Sequence, residues 1–393
     1  MGIENKKVYL LLFIISIFLY FGMLFTTIAT LFSALVLLKP QKEKNLLSKQ
    51  NIPLILLILY FLFSALTYLW SEDKISWKFD TQVKLSLFAI PFLYLFGKTN
   101  EEIFKIFAKT FFYASVLISI IHLSVLVYNF TIKDYTYYML ISSYFTLFMH
   151  PSYYSLYLDF AIISGFYLFK TNKISTGSLL KGLLFILLNI FLAMSKISII
   201  LTFVIIVLAI FSLTKGKWSL YSVLLLSIFA ILTYYSSPKF QEMIQNIPKY
   251  KEILKQPSKA QSSTEIRILT WNATIQIINK NNFIIGNGSG DAKNLLLEFY
   301  KANNYIEPYK KSLNSHNQFL ETLNSTGIIG FILIVSSIFF SLYYSIKGAN
   351  YLLFWFLIII IANFMVESLL NRQNGVLFFS LFFSILNKFD YEK

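Results

Sequence analysis

The sequence predicts an all-α polytopic membrane protein, about 12 transmembrane helices with one large, partly helical loop on the outer side. Three observations predict it. The 393 residues are 56% hydrophobic and 18% aromatic, with a mean hydropathy of +0.64, more apolar surface than a soluble chain of this length carries. Apolar runs of about 17–25 residues, enough to cross roughly 30 Å of hydrocarbon, recur along the chain. Between residues 236 and 325 that pattern gives way to a polar segment with helix signals of its own.

The first apolar run, 8–38, is too long for one span and lacks a small-residue cleavage site. It reads as two short spans, 8–21 and 22–38, rather than a signal peptide. Further spans are expected at 52–70, 82–97, 103–129, 151–169, 178–194, 197–213, 218–235, 326–345, 350–366 and 374–388. The chain then divides into 1–235 with nine helices, the outer loop 236–325, and 326–393 with three helices and the C-terminus. Lys-rich connections, KPQKEKNLLSKQ (39–50), KTNKISTGSLLK (170–181) and TKGK (214–217), fall on one side with Lys6, Lys7, Lys347 and Lys388. By the positive-inside rule that side is cytoplasmic, and both termini with it.

The same rule explains the net charge of +15 without invoking nucleic acid. Only two arginines, Arg267 and Arg372, stand among many lysines, and the abundance of Lys, Asn and Ile fits an AT-rich genome. An arginine kept against that background is informative. The chain has no cysteine, which excludes disulfides, thiolate catalysis and Cys-ligated metals. It has no G-x-x-x-x-G-K-[ST] loop for ATP and no D-x-D pair for a metal-bound nucleotide sugar. Its three histidines, His122, His150 and His316, are too scattered for a zinc site, so no metal or cofactor is expected.

Function is expected in the outer loop, which carries eleven basic residues against seven acidic ones. Ser262-Ser263-Thr264-Glu265 reads as a capping box opening a helix through Arg267, Trp271, Ile275 and Ile278. GNGSGD (286–291) is a glycine-rich turn whose backbone N–H groups, around Gly286 and Gly288, could join an anion cradle. AKNLLLEFYKA then forms a second helix. Ser315-His316-Asn317-Gln318 reads as another capping box, with Ser315 as N-cap and His316 at the first helical position. There the dipole favours a neutral imidazole suited to general-base work. Leu320, Leu323, Gly327 and Gly330 share a face with it, the glycines allowing close helix packing.

Arg267, a turn before Trp271, suits bidentate phosphate recognition. Ser195-Lys196 interrupts apolar sequence between two spans, where the alternative to function is a snorkelling lysine. Glu367, with Arg372 five residues on, sits at the outer junction of the last two spans, functional or simply an ion pair. His150-Pro151, beside Tyr153 and Tyr154, either lines an outer cavity or caps a helix, and His122 reads as buried and structural. A reaction on the outer face without nucleotide needs an activated substrate, which a lipid-diphosphate-linked sugar provides.

Two stretches, RILTWNATIQIINKNNFIIGNGSGD (267–291) and SHNQFLETLNSTGIIGFI (315–332), together with the single large loop, resemble the O-antigen ligase / O-antigen polymerase superfamily. The resemblance implies a GT-C-like membrane fold and an inverting, metal-independent glycosyl transfer on the periplasmic face of the bacterial inner membrane. His316 would activate the acceptor hydroxyl, and Arg267 would bind the diphosphate of an undecaprenyl diphosphate-linked glycan donor. Lys196 would be a second diphosphate contact, in a Ser-Lys pair where the family has Ser-Arg. Asn317, Trp271, Gly286, Gly288, His150, Glu367 and Arg372 would support them. A ligase passes the glycan to lipid A–core, a polymerase to another repeat unit, and some relatives to protein serines. The ligase-like reading is preferred, with the polymerase as alternative. A lipid-linked-glycan flippase is a third reading, disfavoured because the spans are nearly charge-free. A peptidoglycan-polymerase chemistry would rest on Asp291, the one aspartate of the loop.

Overall fold

The structure, a computed structural model, describes residues 3–40, 48–136, 140–141, 145–213 and 250–389, with isolated positions from 224 to 241. The expected span 218–235, the TKGK turn, residues 41–47 of the first Lys-rich connection, and Lys239 and Lys249 of the outer loop lie outside or largely outside these residues. The fold is mostly helical. Among the described residues, Lys49–Leu69, Glu101–Ile132, Thr176–Ala193 and Gln318–Lys347 are long and apolar enough to cross a membrane. Met23–Leu37, Lys196–Ala209, Tyr351–Phe364 and Gln373–Asn387 are shorter apolar helices. The chain is a multi-pass membrane protein, divided into two compact units.

The first unit, Met1–Leu37 with Asn100–Gln241, holds α1 (Ile3–Phe18), α2 (Met23–Leu37), α6 (Glu101–Ile132), α7 (Pro151–Lys170), α8 (Thr176–Ala193) and α9 (Lys196–Leu213). Helix α6 is central, packing on α1, α7 and α8. Small residues let the helices close up: a Cβ on Gly165 would lie 2.7 Å from the Phe112 ring, the close approach that membrane helices use in place of a hydrophobic drive. Buried polar side chains cross-link the bundle. Tyr20 Oη and Ser115 Oγ are 2.6 Å apart, Tyr154 Oη donates to Asn189 Oδ1 at 2.8 Å, and Thr202 Oγ1 donates to Asp159 Oδ1 at 2.7 Å. His122 is buried, with Nδ1 2.8 Å from Ile118 O and Nε2 accepting from Leu147 N.

The second unit, Leu38–Thr99 with Glu242–Lys393, has α3 (Ile52–Leu66), α5 (Ser86–Leu95), α13 (Gln318–Lys347), α14 (Tyr351–Phe364) and α15 (Gln373–Asn387) as its apolar layer, with α4 (Lys74–Lys84) between α3 and α5 in the chain. Helix α3 packs on α13 and α5, and α15 on α5 and α14. The all-helical expectation needs one amendment: β1 (Leu38–Pro40) and β2 (Gly97–Thr99) form a short antiparallel pair, Leu38 opposite Thr99. The expected span 82–97 is also divided. Lys84 is buried against Asp80 at 2.7 Å on amphipathic α4, and α5 has only 10 residues with Pro91 inside, half of what a span needs.

A polar layer of the same unit holds α10 (Ser263–Lys280), α11 (Ala292–Ala302) and α12 (Ile306–Lys310) around a small core of Leu269, Ala273, Leu296, Tyr300 and Tyr305. The capping box that opens α10 forms as expected. Ser262 Oγ accepts from Glu265 N at 3.2 Å, and Glu265 Oε2 accepts from Ser262 N at 3.0 Å.

Helix α13 is two helices end to end. Gly327 has φ +61°, ψ −164°, a conformation that L side chains avoid, and the α10–α11 turn fills the break. Asn287 N and Gly288 N donate to Asn324 O and Ser325 O, both at 2.9 Å, and Ile328 N donates to Phe283 O at 2.9 Å. Gly286, φ +75°, faces Gly327 so closely that a Cβ on either would run into the other's backbone. Gly327 therefore serves this break, not the close packing of two spans expected of it.

Candidate active site

The polar half of α13 begins at Asn317, and not at Ser315 as the S-x-x-Q pattern suggests. Asn317 Oδ1 accepts from Phe319 N at 3.0 Å and Leu320 N at 3.1 Å, capping two of the helix's free donors. Ser315 is instead committed to Glu321. Its N–H and hydroxyl donate to Glu321 Oε2 at 3.1 and 2.6 Å. Two acceptor groups compete for one helix start, and a carboxylate in the first turn draws the serine away.

His316 consequently lies outside the helix, in the left-handed region at φ +47°. A non-glycine residue there costs on the order of 1–3 kcal/mol and persists only when its surroundings hold it. They hold it at three points. His316 N donates to Asn314 Oδ1 at 3.1 Å, Trp271 Nε1 donates to His316 O at 3.2 Å, and His316 Nδ1 stands 3.1 Å from Glu367 Oε2. With a carboxylate as partner, Nδ1 carries the proton and Nε2 is left as the acceptor.

Glu367 belongs to the connection between α14 and α15, which folds over the start of α13. Met365 O accepts from Asn317 Nδ2 at 3.0 Å, Leu370 N donates to Gln318 Oε1 at 2.7 Å, and Asn371 Nδ2 donates to Glu321 Oε1 at 2.8 Å. The ion pair considered between Glu367 and Arg372 gives way to others. Glu367 Oε1 accepts from Arg267 Nη2 at 2.7 Å, and Arg372 is exposed. A partner brought by tertiary folding displaces one that was merely near in sequence. Burial alone would raise the Glu367 carboxyl. Its hydrogen bond and charge interaction with His316, and those with Arg267, outweigh that and hold it at about 2, against 4.5 ordinarily.

Arg267 also donates from Nε to Val366 O at 3.0 Å. Part of its fork is thus spent on the protein, and Arg267, Glu367 and His316, with side chains 24%, 10% and 24% exposed, form one continuous unit. A guanidinium, a carboxylate and an imidazole so joined can hold an anion beside a group able to take a proton.

The glycine-rich turn does not offer the expected anion cradle. Gly286 N donates to Asn282 O, and the next two N–H groups are spent on α13. Ser289 N and Gly290 N donate to Thr67 Oγ1 and Ser71 Oγ at 3.2 and 3.3 Å. Asp291 is likewise committed, accepting from Glu72 N and Asp73 N at 2.7 and 2.8 Å, which leaves little of it for chemistry. Lys196 and His150 belong to the first unit. Lys196 opens α9 two residues after Met194, whose left-handed φ of 55° ends α8. His150 caps α7 through Nδ1, accepting from Ser152 N at 3.4 Å.

Sequence reasoning missed Glu321, which ties the turn bearing His316 to the one bearing Glu367 while only 5% exposed. Its signal was available: Gln318, Glu321, Thr322 and Ser325 recur at helical spacing, a polar stripe facing inward. No curated protein matches the chain significantly. Residues 182–335 match the family model described as O-antigen ligase, a stretch that takes in Lys196, Arg267, Trp271 and His316. Over those residues the chain is similar to the O-antigen ligase family, a match that covers less than half of its length.

Proposed function

We propose that the chain is a ligase-like glycosyltransferase, moving a glycan from undecaprenyl diphosphate to a hydroxyl of lipid A–core on the periplasmic face of the inner membrane. The observation that carries this is the Arg267–Glu367–His316 relay at the mouth of α13. His316 Nε2 takes the proton of the acceptor hydroxyl while Glu367 holds Nδ1–H and stabilises the imidazolium that forms. The acceptor oxygen attacks the anomeric carbon from the face opposite the diphosphate, the bond to the diphosphate oxygen breaks, and configuration inverts. The N–H groups of Arg267 not bound to Glu367, Val366 and Ser263 meet the charge that develops on the leaving diphosphate. No metal takes part. The role of Lys196 rests on the resemblance alone.

In this reading the Lys-rich connections lie on the cytoplasmic side with both termini, by the positive-inside rule, and the polar layer of α10–α12 lies outside. A repeat-unit polymerase would use the same donor and the same relay with a different acceptor. His316→Ala and Arg267→Ala in the native host test the reading, with surface glycan resolved on gels and the lipid-linked precursor measured alongside. Loss of mature glycan with precursor accumulating is the expected result. Bare lipid core identifies a ligase, and single repeats remaining on the core a polymerase. Unchanged glycan in normally expressed variants would overturn the assignment.

A further inference from the structure

The turn between α10 and α11 is bonded into the side of a membrane-crossing helix. Phe283 O accepts from Ile328 N at 2.9 Å and Ile284 O from Ile329 N at 3.4 Å, the first two residues of the apolar half of α13. Phe283 and Ile284 therefore stand level with the first turn of that half, yet the two residues are 50% and 61% exposed. Ile329 and Ile332 beside them are 36% and 54% exposed, and Ile275 on α10 is 45% exposed. Directly before them, Lys280, Asn281 and Asn282 are exposed and polar. The chain thus steps from polar to apolar between Asn282 and Phe283.

We propose that the Phe283–Ile284 tip is a re-entrant turn buried in the bilayer, covered by the acyl chains of membrane lipid. Lys280, Asn281 and Asn282 lie at the head-group level above it. The apolar tip is continuous with the lipid-facing residues Ile329 and Ile332 of α13, so the same hydrocarbon covers both. In water, an exposed Phe-Ile pair on this edge would form an apolar patch of the kind soluble surfaces avoid.

Irregular backbone enters hydrocarbon only where its polar groups are satisfied within the protein, and most of those of this turn are bonded. Asn282 Oδ1 accepts from Ile284 N and Ile285 N at 3.1 and 3.3 Å. Gly286 N donates to Asn282 O, Asn287 N and Gly288 N donate to α13, and the carbonyls of Phe283 and Ile284 accept from it. The polar loop is thereby pinned to the membrane through its own middle, a property independent of any catalytic role.

The chain has no cysteine, so a single introduced thiol is unique. Phe283→Cys and Ile284→Cys, each in the full chain with a nitroxide label, are placed in phosphatidylethanolamine–phosphatidylglycerol liposomes. Power-saturation spectroscopy then compares collisions with oxygen, which concentrates in hydrocarbon, and with a water-soluble nickel chelate. Ile332→Cys is the lipid reference and Lys301→Cys the aqueous one. The proposal expects both tip labels to favour oxygen as Ile332→Cys does. Chelate access matching Lys301→Cys would overturn it. Shielding from both reagents would also overturn it, because protein would then cover the tip.

Discussion

Replacing Glu367 by glutamine keeps the shape of the relay and removes its charge. The carboxylate accepts from Arg267 Nη2 on one oxygen and meets His316 Nδ1 on the other. An amide has one oxygen for these two donors. If that oxygen stays with Arg267, the amide N–H₂ faces Nδ1 and favours the tautomer with its proton on Nε2, where the acceptor hydroxyl must deliver its own. A hydrogen bond to a charged group is worth about 1.5–3 kcal/mol. At 1.36 kcal/mol per decade this is roughly a 10–150-fold loss of rate. The loss falls on kcat, because the interaction strengthens as the imidazolium forms. The assay follows glycan transfer from the lipid-linked donor by the purified variant in liposomes, with its Tm recorded to establish the fold. A folded Glu367→Gln protein with kcat within about twofold of the parent would refute the reasoning.

Three further outcomes follow from the geometry. The Glu367 carboxyl sits at about 2 in the fold against 4.5 ordinarily, so its contribution to stability is complete above the higher value and is lost as pH falls towards the lower one. The Tm of the parent should drop across that window more steeply than that of Glu367→Gln, and parallel curves would contradict it. Glu321→Gln cannot accept from Ser315 and Asn371 together as the carboxylate does. It should lose about 1–3 kcal/mol, read as a lower midpoint in thermal unfolding. Gly327→Ala forces a side chain into left-handed backbone against Ile284 O and Gly286 N. It should cost about 1–3 kcal/mol from conformation alone, with poor accumulation in membranes as the readout.

Much of this was legible in the sequence where the signal was local. The Ser262–Glu265 capping box, the helix carrying Arg267 and Trp271, and the AKNLLLEFYKA helix depend on neighbours within a turn or two, and each forms. The start of α13 was misread because Ser315 and Asn317 both offer capping oxygens, and the choice between them rests on Glu321, in the first turn, and on Met365 O, brought from far along the chain. The helix break is legible in part. A span beginning near 326 matches the apolar half of α13, but the left-handed turn at Gly327 depends on Gly286 arriving from 41 positions earlier. Glu367 gave no local sign of its partners, since Arg267 lies 100 residues away and His316 51. Its nearest cation in sequence, Arg372, drew the expectation instead. Ion pairs across a fold are set by packing, and single-sequence spacing does not carry that information.

The measurement that tests the central claim most directly is the initial rate of glycan transfer by purified His316→Ala, with binding of the lipid-linked donor measured on the same preparation. The account predicts a fall of about 10²–10⁴-fold, the span a general base contributes, with donor affinity little changed because Arg267 remains in place. Transfer at the parental rate by a folded His316→Ala protein would contradict it.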